Sequence, residues 1–123
     1  MPRVLVVDDS RTARAFAAAA LESASDIEVS EAGSGVEALK LLPQGRYDLV
    51  ITDINMPDIN GLELIRFARN HEHYRDTPLI IITTDAADAD RERAMALGAT
   101  EYLVKPFTAE ALLAAVRRHL QAG

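Results

Sequence analysis

Four apolar runs in this chain each end on polar residues of a different kind. Val4-Leu5-Val6-Val7 runs into Asp8-Asp9, and Leu49-Val50-Ile51 runs through Thr52 into Asp53. Leu79-Ile80-Ile81-Ile82 meets Thr83-Thr84, and Tyr102-Leu103-Val104 meets Lys105-Pro106. If the runs are strands of a parallel sheet, their ends gather on one edge, where open α/β sheets bind ligands. Three carboxylates, a hydroxyl and an amine then converge. Such acids repel one another. Mg²⁺ is the cation that suits them, because it is hard, takes carboxylate oxygens, keeps waters and bridges to phosphate. Lysine is a point charge for phosphate oxygens, and a threonine hydroxyl adds one hydrogen bond. Together these groups favour in-line phosphoryl transfer onto a carboxylate, giving an aspartyl phosphate.

The elements that must position these residues follow from local pattern. Arg3 to Val7, Leu49 to Thr52 and the run opened by Pro78 are short, apolar and β-branched, which predicts buried strands. Ile27 to Ala32 alternates apolar and polar residues, as a half-exposed edge strand does. Tyr102 to Val104 is the last strand. Ser10 can cap a helix from Arg11 to about Ser23, and Ser34 one that runs through Leu42 to the stop at Pro43. Met56 to Gly61 reads as a loop punctuated by Pro57 and Gly61. Helices follow from Leu62 to about Asn70, from Ala87 to Leu97 with Gly98 as a left-handed stop, and from the Thr108 cap to about Gln121. Strands alternating with helices over short connections predict a flavodoxin-like, doubly wound (βα)5 domain covering 1–123. The five-stranded parallel sheet takes the order 2-1-3-4-5, which puts the amphipathic second strand at an edge. Lys105-Pro106 is expected to be cis, since the lysine must face the rim while the chain turns to Thr108.

Composition bounds the function. The 123 residues suffice for one well-buried core, and the hydrophobic 49% and charged 26% belong to a globular chain. A net charge of −6 argues against direct nucleic-acid binding. There are no cysteines, so a thiolate metal site is excluded. No apolar stretch reaches the roughly 18 residues of a membrane span, and no signal peptide opens the chain, so a cytoplasmic location is expected.

The pieces V-L-V-V-D-D-S, D-L-V-I-T-D-I-N-M-P-D-I-N-G, I-I-T-T and Y-L-V-K-P-F, in this order and spacing, resemble the receiver domain of two-component response regulators, the CheY-like family. The resemblance covers essentially the whole chain. It implies that Asp53 is the phosphoacceptor, charged by a sensor histidine kinase or a phosphotransfer domain. It implies Asp9, Asp53 and the backbone carbonyl of Asn55 as direct Mg²⁺ ligands, with Asp8 acting through water. Thr83 and Lys105 would contact the phosphoryl group, and Tyr102 would turn inward when Thr83 moves. Thr84 stands where such domains usually carry a smaller residue, and so is expected to modulate access to Asp53. Ile54 replaces a tryptophan found in some chemotaxis members, which weakens an assignment to the flagellar motor and leaves a chemotaxis-type or single-domain regulator open.

The resemblance implies a signalling switch rather than an enzyme. A second reading is an Mg²⁺-dependent phosphatase or phosphotransferase with an aspartyl nucleophile. That class needs an acid two residues after the nucleophile, where Asn55 stands. A third is a receiver-like binding module without phosphorylation, which the presence of Asp8, Asp9, Asp53, Thr83 and Lys105 together opposes. The output face is expected on Ala87 to Leu97, Tyr102 and Arg117-Arg118, reading to a downstream protein or output domain, with the chain a monomer or a weak phosphorylation-dependent dimer. His71-Glu72-His73 has no third ligand in view and reads as a solvated loop. Arg117, Arg118 and His119 fall where cations favour a helix C-terminus.

Overall fold

The computed structural model describes residues 1–83 and 88–120. Strands β1 (Arg3–Val7), β2 (Glu28–Ala32), β3 (Leu49–Asp53), β4 (Leu79–Thr83) and β5 (Glu101–Val104) alternate with helices α1 (Arg11–Glu22), α2 (Gly35–Leu41), α3 (Gly61–Asn70), α4 (Asp88–Leu97) and α5 (Ala109–Leu120). All pairings are parallel and the order is β2-β1-β3-β4-β5, as the pattern predicts. Thr84, Asp85, Ala87 and Gln121 lie outside the described residues.

The period-2 alternation of strands sorts the apolar residues into two layers. Val4, Val6, Leu49, Ile51, Ile80 and Ile82 pack with α1 and α5. Leu5, Val7, Val50, Leu79 and Ile81 pack with α2, α3 and α4. The three central strands are therefore apolar on both faces, while β2 at the edge buries only Ala32 fully.

The helix starts are capped by side chains. The Oγ of Ser10 accepts from Ala13 N–H at 3.2 Å, that of Ser34 from Glu37 at 3.0 Å, and Thr108 Oγ1 from Ala111 at 3.0 Å. Helix α3 begins one residue earlier than the pattern suggests, because Asn60 caps it through Glu63 N–H. Gly98 ends α4 with φ +114°, a backbone that disfavours side chains.

At the end of the sheet away from the strand C-termini, Tyr74 is buried and shares its hydroxyl proton between the carbonyls of Leu42 at 2.5 Å and Gly45 at 2.9 Å. Tyr74→Phe leaves both carbonyls short of a donor and should cost about 1.5 kcal/mol in a urea melt at neutral pH. Burial pushes the Tyr74 phenol above its ordinary value. A raised acid favours the neutral form in the fold. Its contribution is whole below the ordinary phenol value of about 10 and fades as pH rises through the raised one. The gap between wild type and Tyr74→Phe should therefore narrow only in alkaline solution. A gap that widens there would contradict this role.

Candidate functional site

The same alternation that builds the two layers aims the polar residues at the strand ends. Asp8 continues the Val4–Val6 side of β1, Asp53 continues the Leu49–Ile51 side of β3, and Lys105 continues the side of Leu103 beyond β5. The register that sets Val7 beside Thr52 sets Asp8 beside Asp53. One ligand oxygen from each of Asp8, Asp9 and Asp53 lies within 4.8 Å of the others. Asp8 and Asp53 are buried and Asp9 is exposed, so the cluster opens to solvent on the side of Asp9.

Lys105 bridges the two buried acids. Its Nζ donates to Asp8 Oδ2 at 3.2 Å and to Asp53 Oδ2 at 3.1 Å. Burial acts most strongly on the ammonium and pulls its pKa down, but the hydrogen bonds and charges of Asp53 and Asp8 together outweigh it and leave the pKa raised. Lys105 thus stays charged at neutral pH. The acids are not left wholly to repel one another, as their sequence alone suggests: one ammonium offsets part of three carboxylates. The Lys105-Pro106 bond is cis, as expected.

The Asp53 carboxylate is fixed at both oxygens, by Lys105 on Oδ2 and by the backbone N–H of Asn55 on Oδ1 at 2.9 Å. Asp8 is fixed likewise, with Ser10 N–H on Oδ1 at 2.9 Å and Lys105 on Oδ2. Thr83 is buried at the end of β4, one residue past Ile82, the register partner of Asp53 on β3, but its side of the strand is that of Leu79 and Ile81. Tyr102 sits opposite Ile81, half-buried against that same layer, with the guanidinium of Arg91 4.5 Å from its ring centroid. The two basic residues near the C-terminus part company. Arg117 pairs with Asp26 in the α1–β2 connection, whereas Arg118 and His119 both reach Glu101, next to Tyr102. His71 packs its ring among Phe67, His73 and Tyr74, and its Nδ1 accepts from His73 N–H.

Three residues shape the site in ways that the sequence alone does not show. Gly61 lies beneath the end of β3, where a Cβ would stand 2.5 Å from the Asp53 carbonyl oxygen. Asp58 accepts from the N–H groups of Gly35 at 3.3 Å and Val36 at 2.9 Å, tying the β3–α3 loop to the start of α2. These bonds hold the Asp58 carboxyl below its ordinary range. Arg14 donates to the Asp8 carbonyl. Beside the acids, an open groove of about 630 Å³ runs between α1 and the β5–α5 connection, walled by Ala13, Phe16, Pro106 and Phe107.

Comparison with known proteins agrees with this geometry. The response regulator receiver domain model matches residues 4–117. A chemotaxis protein CheY homologue of Campylobacter jejuni is 41% identical over 111 residues, covering 89% of this chain and 85% of that protein. The chemotaxis response regulator CheY4 of Vibrio cholerae superposes with TM-score 0.89 at 37% identity, over 96% of this chain and 98% of that one. The receiver domain of a Pseudomonas aeruginosa sensor histidine kinase, with a magnesium ion coordinated in its active-site cleft, superposes with TM-score 0.89 at 28% identity over 98% of both chains. The chain belongs to the response regulator receiver domain family and is homologous to the CheY chemotaxis response regulators.

Proposed function

We propose that this protein is a phosphorylation-controlled switch in which Asp53 accepts a phosphoryl group from the histidine of a kinase or phosphotransfer domain. The observation that carries the reading is the carboxylate of Asp53, fixed at both oxygens beside two further acids and a charged lysine. In the transfer an Asp53 oxygen forms the new O–P bond while the donor's N–P bond breaks, and the imidazole leaves with that electron pair. Lys105 is placed to follow the phosphoryl oxygens as they arrive, exchanging its carboxylate contacts for them.

The donor set fits Mg²⁺, since it offers only hard carboxylate oxygens. Asp8, Asp9, Asp53 and the Asn55 carbonyl would hold the ion, and it would neutralise charge on the transferring group. The magnesium-bearing Pseudomonas relative supports the same assignment. The groove beside Lys105, with Phe16 46% exposed on its wall, offers an apolar seat next to the acceptor and suits the phosphodonor partner.

Output runs through Thr83 and Tyr102. A phosphoryl group on Asp53 draws the Thr83 hydroxyl toward it, and Tyr102, on the neighbouring strand and the same face, takes the space behind. The reading surface is then α4 with Tyr102 and the Arg118 end of α5. Arg117 points to the opposite flank of α5. The test is amide chemical shifts with Mg²⁺ and beryllofluoride, a phosphoryl mimic. Residues 88–104 should shift in wild type and shift far less in Thr83→Ala. Equal shifts in both proteins would remove the threonine from the relay, and none in wild type would move the output face elsewhere.

A further inference from the structure

Arg14 touches neither Lys105 nor a carboxylate of the acid cluster, yet its guanidinium reaches back from α1 to the backbone between two of the acids. Its Nη1 donates to the Asp8 carbonyl at 2.8 Å, and its Nε donates to the Glu31 carboxylate of β2 at 3.2 Å. Gly33 leaves room for it, since a Cβ there would stand 3.1 Å from Nη1. The carbonyl it holds belongs to the peptide that joins Asp8 to Asp9. The N–H of Asp8 is already tied to Ala32 at 3.1 Å, and both its carboxylate oxygens are engaged. The plane of the Asp8–Asp9 peptide is a rotation still open at this corner, and with the Asp9 side-chain torsions it sets where the exposed Asp9 carboxylate points.

We propose that Arg14 is a positioning residue of the cation site, presetting Asp9 by fixing the peptide between the two acids. The proposal rests on the reading of Asp8, Asp9 and Asp53 as cation ligands. Its sign separates it from simple electrostatics. Arg14 is a positive charge near the cluster, so charge alone predicts that removing it strengthens cation binding. Positioning predicts the reverse, because groups that orient ligands cost metal affinity when lost. Lysine at this position keeps the charge but lacks the planar fork that spans the Asp8 carbonyl and Glu31 together.

The experiment is calorimetric titration of the full chain with Mg²⁺, for wild type, Arg14→Gln, Arg14→Lys and Asp9→Ala, with a thermal melt of each protein without the ion. Arg14→Gln should weaken Mg²⁺ binding about tenfold. Arg14→Lys should also weaken binding, by about fivefold, because an ammonium cannot span the Asp8 carbonyl and Glu31 together. Binding by Arg14→Gln as tight as wild type, or tighter, would overturn the proposal, even if its melting temperature falls. If Arg14→Gln does not fold, affinity of Arg14→Lys equal to wild type would overturn it instead. Asp9→Ala separates the two layers of the argument: loss of binding there supports the cation site on its own. Binding retained in Asp9→Ala would remove that site and the role of Arg14 with it.

Discussion

Asp53→Asn should take up no phosphoryl group from acetyl phosphate in the presence of Mg²⁺, where the wild-type chain takes up one, read as intact mass. An amide oxygen is a poor nucleophile and the substitution removes one of three negative charges that attract the cation. The change is close to isosteric, and the single amide oxygen of Asn can still accept from one of the two donors, Asn55 N–H or Lys105 Nζ, so the fold should persist. Lys105→Ala should keep the acceptor and slow uptake about a hundredfold, the usual loss when one preorganised donor to a developing charge is removed. Omitting Mg²⁺ should suppress uptake in both proteins. A phosphoryl group that appears on Asp53→Asn would place the acceptor at another residue.

Gly61→Ala should be among the most damaging single-methyl additions in the chain. The added carbon would sit 2.5 Å from the Asp53 carbonyl oxygen and 3.0 Å from the Ile54 Cα, and both neighbours are backbone. Neither can turn aside, because the Ile54 N–H is bonded to Ile82 and Gly61 N–H to the Ile54 carbonyl. Overpacking against fixed groups should cost about 3 kcal/mol, which lowers the melting temperature by about 10 °C for a domain of this size. Gly45→Ala is the control. Its Cβ would meet only the side chain of Tyr47, at 3.1 Å, and a ring can swing where a strand end cannot. Equal losses in the two variants would mean that the contact beneath Asp53 is slack. In Gly61→Ala chains that still fold, phosphoryl uptake should fall as well, since the displaced atoms include the backbone of Asp53, the proposed acceptor.

The strands and the acid–lysine rim were legible because each depends on a local pattern. A β-branched run followed by a polar residue identifies both the strand and the end at which chemistry collects, and alternation then assigns Asp8, Asp53 and Lys105 to one face. Ser10, Ser34 and Thr108 were legible as caps because their partners lie three residues on. Asp58 was not, since the N–H groups it receives come from Gly35 and Val36, more than twenty residues earlier. Arg14 was not, since Glu31 of β2 and Gly33 just after it come beneath its guanidinium only in the assembled fold. Arg117 and Arg118 are adjacent in sequence, yet the helix turns them to different flanks, toward Asp26 and Glu101. These pairings are properties of assembled elements, and no window of sequence contains both members.

The sorting of strand residues into two layers bears on how information can cross this molecule. Asp53 ends β3 on the face that packs against α1 and α5, while Thr83 ends β4 on the face that packs against α2, α3 and α4. Between those faces lies the sheet itself, with side chains such as Ile51 and Ile80 packed on one side and Ile81 on the other, each with no exposed surface. A close-packed wall is nearly incompressible, so a push from one side reaches the other only by moving everything at once. At the rim the sheet stops, so a group there can reach from one layer toward the other around its edge. In the proposed relay the crossing point between the layers is therefore the sheet's edge, where Thr83 ends β4.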